Sequence, residues 1–165
     1  MTLLYRTHQG GMQGAIYERD QGGIWQEQAR LKHLPQSAEG QIQLFATDDG
    51  CRVVWSAGSP QGEAIHSSFI SPEGSFSEPR TLVVSRSRVV DWQIQNTATG
   101  FRVAWIEQTP AGERLFIQQF TPQLEPQASP QAIAFQMPVA LFGFNAERIL
   151  LLVDDDKEQR LVPMR

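Results

Sequence analysis

Cysteine is nearly absent from this chain of 165 residues, in which Cys51 is the only one. A single cysteine excludes an internal disulfide and a metal cluster built on cysteine ligands. It also fits a reducing compartment. The first eleven residues, MTLLYRTHQGG, lack the basic start and the long apolar stretch of a secretory signal. We therefore expect a cytoplasmic protein.

Lysine and long apolar runs are scarce as well. Lys32 and Lys157 are the only lysines among 14 basic residues, the net charge is -4, and the pI is about 5.3. An acidic chain without a basic patch is not drawn to phosphate backbones, so we expect no nucleic-acid partner. The longest apolar run, Ile149 to Val153, falls far short of the roughly 20 residues of a membrane helix. The composition predicts a soluble protein with no membrane partner.

Catalytic signatures are missing too. His8, His33 and His66 lack metal-ligand spacing, and none belongs to a nucleophile motif. The run Asp154 to Asp156 does not have the alternating spacing of a calcium loop, and its residues suit a solvated hairpin tip. The segment GGMQG at residues 10–14 lacks the Lys-Ser/Thr end of a phosphate loop. We predict no metal, no cofactor and no enzymatic activity.

What the chain does contain is a period of fifty residues. GCRVVWSAGSPQGEAIHSSFISP begins at Gly50, and GFRVAWIEQTPAGERLFIQQFTP begins at Gly100. Gly, Arg, Val, Trp, Pro, Gly, Glu and Pro recur without a gap between the two stretches. A weaker first copy places Tyr5 in the column of Trp55 and Trp105, and a truncated fourth copy ends the chain. A one-residue slip separates the second and third copies near Phe76 and Pro126. A period of this length indicates a repeat architecture.

Each copy reads as short strands broken by turn residues. In the second copy we predict four strands, at residues 41–47, 51–56, 64–70 and 75–84. Connections this short join neighbouring antiparallel strands, so each full copy is a four-stranded meander. A meander repeated head to tail is typical of a β-propeller, in which strands can be apolar on both faces and the repeated Trp fills space between blades.

The chain also resembles the blades of bacterial β-propeller repeat proteins, and FRVAWIEQTPAGERLFIQQF, which starts at Phe101, is the closest stretch. The resemblance covers residues 40–135 well and the ends poorly. It implies a fold and carries no signature of a functional family. The sialidase Asp-box is approached by TDDGCRVVW but missed, because Asp49 and Gly50 are adjacent, so a sialidase activity is not implied.

We therefore expect an all-β, propeller-like array forming one domain over residues 1–165, with three to four blades per chain. The copies span approximately residues 1–34, 41–84, 88–136 and 137–165, and the first and last are incomplete. Incomplete terminal copies suit either a compact four-bladed ring or a partial ring completed by another chain. Helical spacing in residues 24–34 and helix propensity in residues 146–153 leave a mixed α+β domain as the alternative fold.

Loops that share one face of such a fold supply the candidate binding residues. His33, Arg86 and Arg88 lie in connections between copies, Trp92 lies just inside the following strand, and Glu107 lies in a loop within a copy. Arg86 and Arg88 would project the same way from an extended segment and form a fork for a carboxylate or a phosphate. A solvated turn that pairs with nearby Glu is the plainer interpretation of the two arginines.

Three functions stay open on the sequence. We expect first a non-catalytic binding or assembly module whose partner is another protein chain, including a second copy of itself as a homodimer. The alternative is a small-ligand or glycan binder with an aromatic platform at Trp92 or Trp25. An enzyme with dispersed active-site residues is the third.

Overall fold

A computed structural model describes residues 2–6, 12–30, 41–47, 50–59, 62–135, 139–144, 149–154 and 159–164. These residues form strands and turns, with no helix among them. The all-β prediction is confirmed. The mixed α+β alternative is wrong where the structure describes it, because strands occupy Trp25–Arg30 and Ile149–Asp154. Pairing with neighbouring strands has overridden the local helix propensity of both segments.

The described residues contain fourteen strands in four sheets, and the strands of each sheet follow one another in chain order. The first sheet contains β1 (Thr2–Arg6), β2 (Met12–Arg19) and β3 (Trp25–Arg30). The second contains β4 (Ile42–Thr47), β5 (Gly50–Ser59), β6 (Gly62–Ile70) and β7 (Arg80–Ser85). The third contains β8 (Arg88–Thr97), β9 (Gly100–Thr109), β10 (Gly112–Phe120) and β11 (Gln131–Phe135). The fourth contains β12 (Val139–Phe144), β13 (Ile149–Asp154) and β14 (Gln159–Met164). Neighbouring strands pair antiparallel, for example β9 with β10.

The two four-stranded sheets keep the fifty-residue spacing. Strands β5 and β9 begin and end fifty residues apart, as do β6 and β10. Isolated bridges join Ile70 to Phe76 and Phe120 to Pro126, again fifty residues apart. Strands β7 and β11 begin 51 residues apart, at Arg80 and Gln131. The one-residue slip therefore lies just after the two bridges.

One turn geometry recurs in three of the sheets, after β2, β6 and β10. It starts at Asp20, Ser71 and Thr121, whose side-chain oxygens accept a hydrogen bond from the amide four residues later at 2.9, 3.3 and 3.2 Å. In each turn the amide of the first residue also donates to the carbonyl four residues later, at 2.8–2.9 Å. The side-chain oxygen completes a turn that the backbone begins, which explains Asp, Ser or Thr at this position.

The fourth residue of this turn adopts a left-handed conformation. Gly23 and Gly74 have φ of 82° and 81°, and Leu124 has φ of 71°. A Cβ on Gly74 would lie 2.9 Å from the carbonyl oxygen of Arg30. Glycine is thus required at position 74 both by the left-handed conformation and by the close approach of β3. Leu124 adopts the same left-handed conformation at a cost in free energy.

The repeated tryptophans occupy equivalent buried positions. The Trp105 ring stacks on Phe116 of the paired strand with centroids 5.3 Å apart, and the Trp55 ring lies 5.5 Å from the His66 ring. Trp55 and Trp105 are 1% and 3% exposed. These cross-strand pairs, fifty residues apart, are one reason that both copies keep a tryptophan.

The first copy departs from the predicted column. Ala15 lies five residues before the turn that starts at Asp20, and Phe116 lies five residues before the turn that starts at Thr121. Ala15 pairs with Leu3. Leu3, and not Tyr5, therefore lies at the level of Trp105, which pairs with Phe116. The connection between β1 and β2 differs in length from that between β9 and β10, and an ungapped alignment could not register this difference.

The chain divides into two compact units. The first contains Met1–Ala57 and Ile65–Thr81, and the second contains Gly58–Ala64 and Leu82–Arg165. The core of the first unit holds Val53, Trp55, Ala57 and Ile70, against which Ile16 of β2 packs. A three-stranded and a four-stranded sheet thus share this core. The expectation of a single domain over residues 1–165 stays a prediction.

The second unit contains the four-stranded sheet β8–β11 and the three-stranded sheet β12–β14. Phe101 and Phe120 stack with centroids 5.3 Å apart, and Trp92, Ile106 and Leu115 are buried in the same unit. Strand β12 of the three-stranded sheet contacts β8 and β9, and its Leu141 is buried. The division does not follow the copies strictly, because Gly58–Ala64 and the part of β7 from Leu82 belong to the second unit.

Candidate functional site

The connection between β7 and β8 is a tight turn built by two serines. Ser85 Oγ accepts a hydrogen bond from Ser87 N at 3.0 Å and donates to Ser87 O at 2.9 Å, and Ser85 is buried. A bend at Arg86 and Ser87 replaces the extended segment expected there. The serine hydroxyl satisfies two backbone groups at once, so the turn is fixed from within.

Glycine at the start of β6 allows this turn to pack closely. Gly62 has φ of 139°, and a Cβ there would overlap Ser85 O and would lie 3.0 Å from Arg86 Cα. Gly112, fifty residues on, has φ of 113°. The repeated glycine is thus a requirement of backbone conformation and, at Gly62, of contact with the turn.

The glutamate beside this glycine has a structural role. Glu63 Oε2 accepts a hydrogen bond from Val89 N at 2.7 Å, at the start of β8. A carboxylate that accepts from a backbone amide forms one of the stronger hydrogen bonds in proteins. The Gly-Glu pair therefore ties β6 to the strand that follows the turn.

Arg86 and Arg88 are both exposed on this turn. Arg86 lies in the bend, and Arg88 is the first residue of β8, where it pairs with Gln108. Neither guanidinium makes a hydrogen bond or an ion pair with the residues that the structure describes. An ion pair is found among those residues between Arg30 and Glu27, at 2.8 Å. The predicted pairing of these arginines with a nearby Glu is not seen there.

Glu107 and Trp92 lie close to this turn in the same unit. Glu107 pairs with Val89, and its Oε1 accepts a hydrogen bond from Trp105 Nε1 at 2.9 Å. Glu107 therefore satisfies a buried indole. Trp92 is 1% exposed and pairs with Trp105. Its ring belongs to the core and offers no platform at the surface, because Trp92 follows the β-bulge that turns this side chain inward.

Among the remaining candidates, Trp25 is 49% exposed in the first unit, next to Ile24 at 65%. His33 lies outside the described residues. Asp154 ends β13, and Asp155 and Asp156 also lie outside them. The structure thus brings Arg86, Arg88 and Glu107 to one part of the second unit.

Asp91 is the residue that sequence reasoning missed. Its Oδ1 accepts a hydrogen bond from Trp92 N and its Oδ2 one from Leu141 N, both at 2.8 Å. Gln93 Nε2 donates to Leu141 O at 2.8 Å. Both backbone groups of Leu141 in β12 are thereby held by side chains of β8. Burial raises the pKa of the Asp91 carboxyl, although both hydrogen bonds oppose this effect. A carboxylate between Val90 and Trp92, inside an apolar strand, is the signal that could have identified it.

His66 is the other titratable side chain with a distinct environment. It lies half-buried beside Trp55, and its Nδ1 is 3.2 Å from Thr81 Oγ1. Burial lowers the pKa of the His66 imidazole. No group of three or more His, Cys, Asp or Glu side chains in the described part of the chain could hold a metal ion.

Comparisons with known proteins add no family to this geometry. Neither a protein-family model, nor a curated protein, nor a solved structure matches the chain. None of the described residues forms a helix with the length and hydrophobicity to span a bilayer.

Proposed function

We propose that this chain is a binding or assembly module without catalytic activity, built as a propeller-like array, and that its partner is another protein chain, in the first instance a second copy. The observation that carries the proposal is the composition of the terminal sheets. Within the described residues, the first sheet pairs no strand equivalent to β4 or β8, and the fourth sheet pairs none equivalent to β7 or β11. Strands β1 and β14 are the edges where those missing strands would pair.

An open edge is a strong reason for association. Every second residue of an edge strand points its backbone N–H and C=O away from the sheet, where they need a partner. Such edges template pairing with another chain unless something covers them. In a homodimer the incomplete sheets of two copies supply strands to each other, and two-fold symmetry makes the contact self-complementary.

Light scattering tests this proposal on the full chain. A homodimer has a mass near twice 18.5 kDa. Cysteine cross-linking then locates the contact, with Leu4→Cys in β1 and Val162→Cys in β14, each in a Cys51→Ser background. Gln28→Cys in the middle of β3 is the control. Disulfide-linked dimers from the β1 or β14 variant, and not from the control, support association through these edges.

A monomeric wild type that co-purifies with no other protein contradicts the proposal. The variant with both Leu4→Cys and Val162→Cys distinguishes association between two chains from pairing of the two ends within one chain. A disulfide within a single chain would mean that the two ends pair with each other and close a ring, which leaves no open edge for a partner.

Glycan binding is the second candidate function, and the exposure of Trp25 favours it. The hairpin between β2 and β3 is rigid, because Asp20 accepts hydrogen bonds from Ile24 N and from Gln26 Nε2 at 2.9 and 3.0 Å. A fixed, exposed indole suits stacking against a sugar ring. A glycan-array screen of the wild type and of Trp25→Ala tests this function. Binding that survives the substitution, or no binding at all, argues against it.

A further inference from the structure

We propose that the turn between β7 and β8 carries a docking face for an acidic segment of another protein, in which apolar residues flank the carboxylates. The face consists of four exposed side chains, those of Val84, Arg86, Arg88 and Val90. All four belong to the second compact unit. The inference rests on the proposed binding function and names a partner for it, but it does not depend on association through β1 and β14.

Alternating exposure brings these four side chains to the outer side of the chain. The residues between them point the other way: Val83, Ser85 and Val89 are buried, and Ser87 is partly buried. The two hydrogen bonds between Ser85 and Ser87 and the contact of Gly62 with the turn hold the backbone in place. A partner therefore orders side chains alone, which lowers the entropic cost of binding.

The β-bulge in β8 is what exposes the second half of the face. Val89 and Asp91 pair with consecutive residues of β9, and Val90 is the extra residue between them. In a regular strand, alternation counted back from the buried Trp92 would turn Val90 and Arg88 toward the core. A bulge re-aims side chains in this way, and here it places a valine on the outside next to the arginines.

Exposed valines distinguish this face from an ordinary solvated turn. Val84 is 54% exposed and Val90 is 37% exposed. They are two of the four large hydrophobic side chains that are exposed in the described part of the chain, and the other two are Ile24 and Trp25. Apolar side chains grouped at the surface and rimmed by polar ones mark sites of protein association. The valines thus give a reason for a partner that is independent of the charges.

The arginines select the charge of that partner. Among the described residues neither guanidinium has a hydrogen bond or an ion pair, and the face is basic on a chain of net charge -4. Arginine binds carboxylates with two parallel hydrogen bonds. The corresponding connection after β11, residues 136–138, is Gln-Met-Pro and carries no charge. The two arginines are therefore not part of what the repeat conserves for folding, unlike the glycines at positions 62 and 112.

The small number of charges favours a protein segment over a membrane surface. Recruitment to anionic lipid typically uses clusters of about four to eight basic residues. Two guanidiniums between two valines instead match two carboxylates between two apolar side chains. Complementary charge of this kind gives specificity, and burial of the valines adds affinity.

A synthetic peptide tests the face on the full chain. The probe is Val-Ser-Glu-Ser-Glu-Ser-Val with blocked ends, added to the isotope-labelled protein and followed by NMR. We expect saturable shifts at the amides of residues 84–90, with a dissociation constant of about 1 mM or tighter. A peptide with Lys in place of Glu should not bind, and a peptide with Ser in place of Val should bind more weakly. Binding of the probe should weaken between about 0.1 and 1 M salt, because salt screens exposed charges.

Substitutions then assign the binding to the four side chains. Arg86→Glu and Arg88→Glu should each weaken it about fivefold or more, because like charges then face each other. Arg30→Glu is the matched control, since it makes the same change on an exposed arginine of the first unit, and should stay within about twofold. Val84→Thr with Val90→Thr keeps the side-chain shape but adds hydroxyls, and should weaken binding about threefold or more. The variant with both Arg86→Glu and Arg88→Glu should bind the Lys peptide, which also shows that it is folded.

The results separate this inference from the proposed self-association. A chain that shows no saturable shifts with the probe, or whose arginine variants bind it as the control does, overturns the docking face and leaves assembly through the edges intact. Equal binding of the peptide without valines overturns the apolar half of the face. Co-sedimentation with phosphatidylserine vesicles but no binding of the probe would assign the face to lipid and overturn the peptide. A monomeric wild type that binds the probe supports this inference and contradicts association through β1 and β14.

Discussion

The rings of Trp55 and His66 lie 5.5 Å apart across β5 and β6, with their planes at 30°. Fifty residues later the same position holds Trp105 and Phe116, with centroids 5.3 Å apart. One copy has thus placed a titratable ring where the other has an apolar one. Thr81 Oγ1 accompanies His66, whereas Phe116 pairs with Ala132.

This difference predicts that stability falls in mild acid. Burial lowers the pKa of His66, so the folded state favours the neutral ring. The stability from this group is present above the unfolded pKa of about 6.5 and is lost as pH falls through the lower folded value. Urea denaturation at about pH 8 and pH 5.5 measures the loss. His66→Phe with Thr81→Ala copies the third sheet and should remove this part of the pH dependence. An unchanged pH dependence in the double variant would assign the effect to other groups.

Truncation of the repeated tryptophans should be costly. We expect Trp105→Ala and Trp55→Ala each to lower the free energy of unfolding by about 3 to 5 kcal/mol, because each empties a buried aromatic site. Trp25→Ala is the matched control, since Trp25 is half exposed, and should cost about 0.5 kcal/mol or less. Chemical denaturation measures all three. Costs under about 1 kcal/mol at Trp55 and Trp105 would contradict a core role.

Much of this fold could be predicted from the sequence, because strand patterns and turn residues act locally. The predicted strand 41–47 is β4, and the predicted strands 51–56 and 64–70 lie within β5 and β6. The predicted strand 75–84 was too long, because the turn after β6 keeps only the bridge at Phe76 before β7 begins at Arg80. Whether the four sheets form a propeller stays a proposal.

The site was harder to predict because it depends on side-chain partners and on a β-bulge that no local pattern shows. Glu107 was expected in a loop, but it lies in β9 and accepts a hydrogen bond from Trp105 Nε1. Trp92 looked like a surface aromatic, and the adjacent bulge places it in the core. No local pattern shows which backbone amide a glutamate will reach. Exposure of Arg86 and Arg88, in contrast, follows from their place in a turn.

The shared turn predicts effects of unequal size at two equivalent positions. Gly74→Ala should cost about 1 to 3 kcal/mol, because alanine is strained at φ of 81° and its Cβ would lie 2.9 Å from Arg30 O. Leu124→Gly should change stability by less than about 1 kcal/mol, because relief of the strained φ offsets lost packing and the added freedom of the unfolded chain. Thermal and urea unfolding compare the two. A larger loss at Leu124 than at Gly74 would refute this account of the turn.

The hydrogen bonds from Leu141 N to Asp91 and from Gln93 to Leu141 O predict a specific dependence on Asp91. Asp91→Ala leaves the buried Leu141 amide without its acceptor, and we expect a loss of about 1 to 3 kcal/mol. Asp91→Asn keeps one acceptor oxygen, so it should cost less than Asp91→Ala. Glu78→Ala, at an exposed position, is the control and should stay within about 0.5 kcal/mol. Faster hydrogen exchange at the Leu141 amide in Asp91→Ala would locate the effect.

The same carboxyl also predicts a dependence on pH with the opposite sign to that of His66. Because burial raises the pKa of Asp91, the folded state favours the protonated acid. The stability from this group is therefore present below the unfolded pKa of about 3.9 and is lost as pH rises through the higher folded value. Asp91→Asn cannot titrate, so the difference in unfolding free energy between wild type and variant should change across that range. A difference that stays constant from about pH 3 to pH 7 would mean that burial and the two hydrogen bonds cancel at Asp91.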